Sequence, residues 1–334
     1  MAKFKYINII ILLAISFLAV SDTTFAKNPM RITMEEDIVS VYADQPRPSD
    51  PRLLLAGADG LGQRVLLRYR YENVPFKPYV QQLFSPSGVN VLRDAPFDHL
   101  HHHALMFAVA VDGVDFWEEQ QAPGRQVHRC FTDTRIDKRV DVPLAGFTEQ
   151  LDWVNPRSQE LLLKEYRTIK VCQLNDFKAT LLSWQSSFAV PSGKESVTLS
   201  GSHYFGLGMR FLKSMDVGGQ FRNAEGKTGD IVRGDERLVQ ARWCAYTAGA
   251  NGKPVTIAMF GHPDNWRHPT QWFTMTKPFA YLSATLNLHR EPLTVTSDKP
   301  LVLRYAVVVW DNRVENEQIE KSYNWWINSS NNIN

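Results

Sequence analysis

Four of the nine histidines in the chain lie within five positions, at His99, His101, His102 and His103. Imidazole titrates near neutral pH and so suits proton transfer, and it also binds zinc, copper and nickel. If the segment is extended, His99, His101 and His103 face the same way, which would let two or three of them hold one ion. The cluster therefore fits an acid–base site, a metal site, a sugar-binding surface, or a polar loop whose side chains bond one another.

A second polar segment, GHPDNWRHPTQW at residues 261–272, carries two more histidines. Its proline and polar content is typical of a loop at the end of the preceding strand TIAMF. Loops on a rigid scaffold carry function, so we expect this segment to meet the first cluster at one end of the fold. The alternative is that its histidines cap turns. The candidates for proton transfer here are His262 and His268, and those for substrate binding are Asn265, Arg267 and Trp272.

Three charged residues complete the candidate set. Glu165 alternates with apolar neighbours in LLLKEYRTIKVCQL, which makes it the best interior carboxylate for acid–base chemistry. Arg210 lies in the apolar run GLGMRF and needs a partner, because buried arginine is seldom unpaired. It either binds a sugar hydroxyl or carboxylate, or pairs with Glu165. Asp98 stands beside His99 and is a candidate for substrate binding.

The elements that must position these side chains are strands. Runs rich in Val, Thr, Tyr, Phe and Trp recur between Gly, Pro, Asn and Asp, for example RVLLRYRYENV, SVTLSGSHYFGLGMRFL and LTVTSDKPLVLRYAVVVW. Asp112-Gly113 predicts a hairpin turn, and NEQIEKSYNWWIN at the C-terminus predicts a helix of two or three turns. Because predicted strands do not alternate with predicted helices, the pattern favours an all-β protein built as a large antiparallel β-sandwich.

The predicted organisation is a signal peptide followed by one domain. MAKFKY carries two lysines, a mostly apolar run follows, and residues 1–26 end in small residues, which together predict a secretory leader cut after Ala26. The run is shorter than the roughly 20 apolar residues of a membrane span, so we expect a periplasmic protein that is not held in the membrane, the alternative being an uncleaved anchor. A strand and a Pro/Gly-rich loop would occupy 27–60, the sandwich 61–315, and the helix or tail 316–334.

Composition narrows the partners. The net charge of +2 supplies no electrostatic reason for binding nucleic acid or an anionic membrane, whereas 11% aromatic residues fit a sandwich core or sugar-stacking surfaces. Cys130, Cys172 and Cys244 allow at most one disulfide within a monomer, and whether two of them pair stays open, as does the oligomeric state.

Four segments carry a family resemblance: residues 77–119, from KPYVQQLF to VDFWEE, then HYFGLGMRFLKSMD, QARWCAYTA and IAMFGHPDNWRHPTQWFTM. They resemble, in order, motifs of the secreted bacterial family labelled PmoA. The resemblance implies carbohydrate metabolism and a galactose-mutarotase-like supersandwich, in which histidine and a carboxylate act as acid and base around a sugar ring. The chain departs from the family pattern in having Leu100 for proline, His103 for arginine, Ala104 for glycine, Trp266 for proline and Phe273 for histidine.

These observations support three functional hypotheses. The preferred one is a periplasmic carbohydrate-active enzyme that uses no cofactor and performs acid–base chemistry on a glycoside or oxidised sugar, by hydrolysis, elimination or epimerisation. The second is an enzyme that holds a divalent metal through His99 and His101, because His103 matches an arginine of the family pattern. The third is a glycan-binding protein without catalysis.

Overall fold

The computed structural model describes residues 30–44, 63–137 and 142–333. Within these residues the chain forms two large antiparallel sheets, a small sheet and one α-helix. The first large sheet has ten strands. In spatial order they are β1 (Met30–Met34), β2 (Ile38–Asp44), β3 (Gln63–Arg70), β4 (Tyr79–Leu83), β5 (Leu105–Ala108), β13 (Gly206–Arg210), β20 (Tyr281–Thr285), β19 (Gln271–Met275), β16 (Arg237–Gln240) and β15 (Asp230–Ile231).

The second large sheet has eight strands, most of them longer than those of the first. In spatial order they are β14 (Gln220–Asn223), β17 (Trp243–Ala250), β18 (Lys253–Gly261), β22 (Leu301–Trp310), β11 (Ala179–Ala189), β10 (Leu161–Leu174), β9 (Leu144–Val154) and β8 (Arg125–Asp137).

The two large sheets pack face to face. Phe107 of β5 contacts Phe188 of β11 with ring centroids 5.3 Å apart, and Tyr69 of β3 contacts Phe147 of β9 at 5.1 Å. Since successive side chains of a strand point to opposite faces, the inward set of each sheet forms one continuous core, which is the arrangement of a β-sandwich.

The helix α1 (Asn316–Ile333) covers the outer face of the eight-stranded sheet. Its Trp326 contacts Phe260 of β18 with centroids 6.1 Å apart. Strand β22 is buried on both sides: Val307 and Val309 face the inter-sheet core, and Val308 faces the helix. This explains why its sequence is a continuous apolar run. Among the described residues, no helix is long and apolar enough to cross a membrane.

The small sheet consists of β21 (Leu293–Thr296), β12 (Ser196–Ser200), β6 (Ala110–Val111) and β7 (Val114–Asp115). The predicted hairpin turn is confirmed, since Asp112 and Gly113 join β6 to β7 with φ of 47° and 81°. The run SVTLSGSHYFGLGMRFL was predicted as one strand and is divided into β12 and β13, because Gly201 and the residues after it leave the ladder.

The predicted fold class is confirmed: the described chain is dominated by antiparallel strands and ends in a helix. The helix spans 18 residues, about five turns, rather than two or three. All three cysteines are free thiols. The predicted signal peptide at 1–26 and most of the Pro/Gly-rich loop lie outside the described residues, and the division into 27–60, 61–315 and 316–334 stays a prediction.

Candidate functional site

The histidine cluster opens onto a cavity of about 420 Å³. The cavity lies over the part of the ten-stranded sheet formed by β20, β19 and β16. Its walls come from the segments around the histidines, around Trp117 and around residue 235, together with rings from β19 and β20. The lining includes His99, His101, His102, Trp117, Glu118, Tyr204, Glu236, Phe273, Lys277, Phe279 and Tyr281.

Gly208 of β13 makes room for the aromatic floor of this cavity. A Cβ at Gly208 would stand 2.2 Å from Oη of Tyr281 and 2.7 Å from Cη2 of Trp117. Such distances are too short for any real side chain, so only glycine lets both rings lie against the strand. The space beside Gly208 is thus filled by two rings that also line the cavity.

The histidines lie in a turn, where the amide of His102 donates to the carbonyl of His99 at 3.0 Å. The expectation of an extended segment with His99, His101 and His103 on one face is therefore wrong. The rings of His99 and His102 stack at 4.7 Å and those of His101 and His102 meet edge to face at 4.5 Å, so these three line the cavity together. The turn ends at Ala104, whose φ is 48°.

His101 lies beside a carboxyl group in the cavity lining: its Nδ1 atom is 3.7 Å from Oε2 of Glu118. Burial, together with the charges of Lys77 and His99, lowers the pKa of His101 to about 4. Burial and the nearby carboxylate of Asp115 raise the pKa of Glu118 above its usual value. The site thus holds a neutral imidazole beside a carboxyl group that keeps its proton to higher pH, which is the pairing expected of a general base and a general acid.

His102 is the most buried of the three lining histidines, at 7% exposure. Burial and the neighbouring imidazoles of His101 and His99 hold its pKa far below the usual value, so the ring is neutral. Its Nδ1 atom and the Nε1 atom of Trp117 are buried and have no hydrogen-bond partner among the described residues. Both atoms belong to residues that line the cavity.

His103 points away from the cavity into a buried network. Its Nδ1 lies 3.1 Å from Asp94 and its Nε2 lies 2.9 Å from Glu119, which in turn accepts a 2.6 Å bond from Lys77. Tyr79 donates to Asp94 at 2.7 Å. The network ties the histidine turn to β4 and to the segment that carries Glu118.

Arg210 is paired with Asp98 through Nη2 at 3.1 Å, and its guanidinium lies 3.3 Å over the ring of Phe279. Burial opposes the ionised form of Asp98, but the charge of Arg210 and the hydrogen bonds to the carboxylate together outweigh burial and lower the carboxyl pKa. Arg210 is 1% exposed and holds the wall of the cavity rather than lining it. Arg210 is therefore paired with Asp98 rather than with Glu165, and its role in substrate binding stays a prediction.

The sequence of the chain matches a protein family. The family model of DUF6807, described as a family of unknown function, matches residues 60–324. The chain belongs to this family. No curated protein matches the sequence significantly.

Solved structures are similar to this DUF6807 chain only at a distance. A galactose mutarotase-like protein from Clostridium acetobutylicum has a TM-score of 0.41 and 10% identity, over 85% of this chain and 99% of that one. The α-galactosidase from Lactobacillus brevis has a TM-score of 0.40 and 6% identity, over 85% of this chain and 40% of that one. Similarity at this level leaves the chemistry of the site to be derived from its own residues, and the PmoA label stays an interpretation of the sequence.

The second histidine segment of the DUF6807 chain does not line the cavity. His262 continues β18 on the same face as Phe260, and that face is covered by α1 rather than by the ten-stranded sheet. Its ring meets Trp326 edge to face at 5.5 Å. The side-chain period of two therefore directs His262 to the side opposite the inter-sheet core, and the expected meeting of the two histidine segments does not occur in the structure.

The other candidates of this segment are bound within the fold. Asn265 pairs with the backbone of Arg304 through two 2.7 Å bonds. Arg267 donates to the carbonyls of Leu286 and Asn287 and to Glu291. His268 also lies outside the cavity lining.

Trp272 was expected to be a stacking platform in a loop, and that placement is wrong. It lies in β19, is fully buried, and donates from Nε1 to the carbonyl of Ala241 at 2.8 Å. Its neighbour Phe273 points the other way and lines the cavity. Adjacent strand residues face opposite sides, so the aromatic wall comes from Phe273.

Glu165 is buried at 0% exposure inside the sandwich, away from the cavity lining. Its carboxylate accepts from Arg167, from Trp153 at 2.9 Å and from Ser186 at 2.6 Å. The alternation that marked Glu165 as interior is confirmed, but every contact that the structure gives its carboxylate is to another core residue. Its proposed role in proton transfer stays a prediction.

Sequence reasoning left the aromatic lining largely unassigned, in particular Tyr204, Phe279 and Tyr281. Glu118 also lines the cavity, whereas its neighbour Glu119 bonds His103 and Lys77. Within the described residues no group of three or more His, Cys, Asp or Glu side chains has a metal-holding arrangement.

Proposed function

We propose that the protein is a carbohydrate-active enzyme that performs acid–base chemistry in the cavity lined by His99, His101 and His102. The observation that carries the proposal is the facing pair of His101 and Glu118, 3.7 Å apart, in a cavity walled by aromatic rings. Their environments shift the two pKa values in opposite directions, so that a neutral base and a protonated acid coexist over a wider pH range.

The lining suits a sugar ring. Tyr204, Phe279 and Tyr281 supply apolar ring surface for the C–H side of the sugar, while the imidazole of His101 and the carboxyl group of Glu118 supply polar partners for its hydroxyls. In the reaction, His101 removes a proton from the substrate, or from the attacking water in a hydrolysis, and Glu118 gives one to a ring or departing oxygen. Hydrolysis, elimination and epimerisation of a glycoside or oxidised sugar all use this pair of transfers.

Export to the periplasm belongs to the same proposal. It is supported by the leader-like composition of residues 1–26.

The experiment is a glycan-library screen with the mature protein, followed by NMR of the products. For a substrate that responds, Glu118→Gln and His101→Ala should each lower kcat about 10²- to 10⁴-fold, the usual contribution of a positioned acid or base. His289→Ala, an exposed histidine that does not line the cavity, is the matched control and should leave kcat unchanged.

Saturable binding of an intact glycan with no product on long incubation would instead support a binding protein. Turnover that survives both Glu118→Gln and His101→Ala would remove the site from consideration.

A further inference from the structure

A second cavity of about 440 Å³ lies next to the first. It is formed by the turn after β6, by the segment that follows Glu118, and by the turn between β9 and β10. Its volume is within the range of about 300–1,000 Å³ that is usual for small-molecule sites. Its principal polar lining is Asp115, Glu118, Gln120, Gln121, Asn155 and Arg157.

Glu118 lines both cavities. The carboxyl group assigned above as the acid therefore stands at the boundary between them. Oδ1 of Asp115 accepts hydrogen bonds from the backbone amides of Trp117 at 2.7 Å and Glu118 at 3.1 Å. These two bonds fix the backbone of the segment that separates the cavities. A fixed backbone is needed there because the carboxyl group of Glu118 must meet the substrate at a defined position.

The two cavities differ in chemistry. Rings dominate the wall of the first, whereas the second presents side-chain amides and a guanidinium. Among the residues that the structure describes, the guanidinium of Arg157 makes one long contact of 3.5 Å, to the carbonyl of Gln121, so its other donors remain for a ligand. Amides and guanidinium groups bond hydroxyls at the rim of a sugar, while flat rings hold its face.

The outer wall of the second cavity is preformed. Gln121 and Ala122 have φ of 59° and 61°, so two consecutive residues with side chains occupy the left-handed region. Such strain persists where the surroundings hold it, and it clusters at ligand sites. Gly124, two residues further on, packs directly against the ring of Phe116: a Cβ at this position would stand 2.4 Å from the ring. This end of the loop therefore lies against the core.

From these observations we infer that the second cavity is a sugar subsite and that the substrate is a glycoside of at least two units. The reacting unit lies among the rings of the first cavity, its neighbour lies among Gln120, Asn155 and Arg157, and the bond between them passes Glu118. This inference rests on the proposed function, since it assigns Glu118 the same proton transfer.

The test compares two substrates, a two-unit glycoside and the 4-nitrophenyl glycoside of its reacting unit. The double variant Gln120→Ala, Arg157→Ala should raise KM for the two-unit glycoside about tenfold or more, as the loss of a hydrogen bond to a charged group predicts. It should leave kcat/KM for the nitrophenyl glycoside unchanged. Arg290→Ala, an exposed arginine outside both cavities, is the control and should affect neither substrate.

The Glu118→Gln variant and the double variant together distinguish a failure of the subsite from a failure of the proposed function. If Glu118→Gln abolishes turnover while the double variant affects both substrates equally, or neither, the subsite is overturned and the proposed function stands. If Glu118→Gln leaves turnover intact, or if no glycoside is turned over at all, both are overturned.

Discussion

The histidine cavity and the cluster around Glu165 both concentrate ionisable side chains, but they differ in how their polar atoms are satisfied. In the buried cluster, Arg167 bonds Glu165, Gln126, Tyr69 and the carbonyl of Pro78, and it lies 4.7 Å over the ring of Trp184. In the cavity, polar atoms of His102 and Trp117 have no partner among the described residues. The network around Glu165 fixes the core by pairing its polar atoms, whereas the lining of the cavity includes polar atoms that are left unpaired.

The largest effect on stability is expected in the closed network. Replacing Arg167 by methionine leaves the carboxylate of Glu165 without its cation in the core, which should lower the free energy of unfolding by about 3–5 kcal/mol. Arg129→Met breaks a half-exposed pair with Asp152 and should cost about 0–1 kcal/mol. Chemical denaturation of the two variants and the parent measures the difference.

The same variants also test the function of the buried cluster. Turnover per folded molecule should be unchanged in Arg167→Met. A large loss of turnover without a loss of stability would return Glu165 to the catalytic set and remove the distinction between the two clusters.

An intermediate effect on stability is expected at His103, which lies neither in the cavity lining nor in the cluster around Glu165. Burial would lower its pKa, but hydrogen bonds to Asp94 and Glu119 outweigh burial and raise it above the usual value. A raised pKa in the folded state stabilises the protein fully below about pH 6.5, and this stabilisation is lost as the pH rises through the folded pKa. Replacing His103 by glutamine should cost about 1–3 kcal/mol at pH 6.

Unfolding free energies measured from pH 5 to pH 9 check the sign. The parent and the exposed control His289→Gln should share the decline above about pH 6.5, and His103→Gln should lack it. The groups that face His103 are Asp94, Glu119, Lys77 and Tyr79. The same slope in all three proteins would show that His103 carries no raised pKa.

The smallest effect is expected at His262, on the far side of the eight-stranded sheet. Its removal loses the edge contact with Trp326 and the bond that its Nδ1 accepts from the amide of Asp264. His262→Ala should lower the free energy of unfolding by about 1 kcal/mol and leave kcat unchanged, whereas His102→Ala should lower kcat. A loss of turnover in His262→Ala would restore the second histidine segment to the site.

Local signals predicted these features: side-chain alternation indicated the strands and the interior position of Glu165, and the Asp112-Gly113 pair indicated the hairpin because both turn residues need a positive φ. The same patterns could not show which face of a strand meets which layer. His262 follows a strand buried on both faces, and its side is decided by the helix packed against that strand. The placement of Trp272 and Phe273 failed for a related reason, since a shift of one residue exchanges the core and the cavity.

Ala104, which ends the histidine turn, has φ of 48°, a conformation that costs a residue with a Cβ roughly 1–2 kcal/mol. Its carbonyl accepts a 2.7 Å bond from the amide of Arg210, so the surrounding backbone enforces that conformation. Glycine adopts this conformation without strain. Glycine at position 104 would therefore stabilise the protein through the backbone conformation alone, and every side chain of the cavity lining would stay as it is.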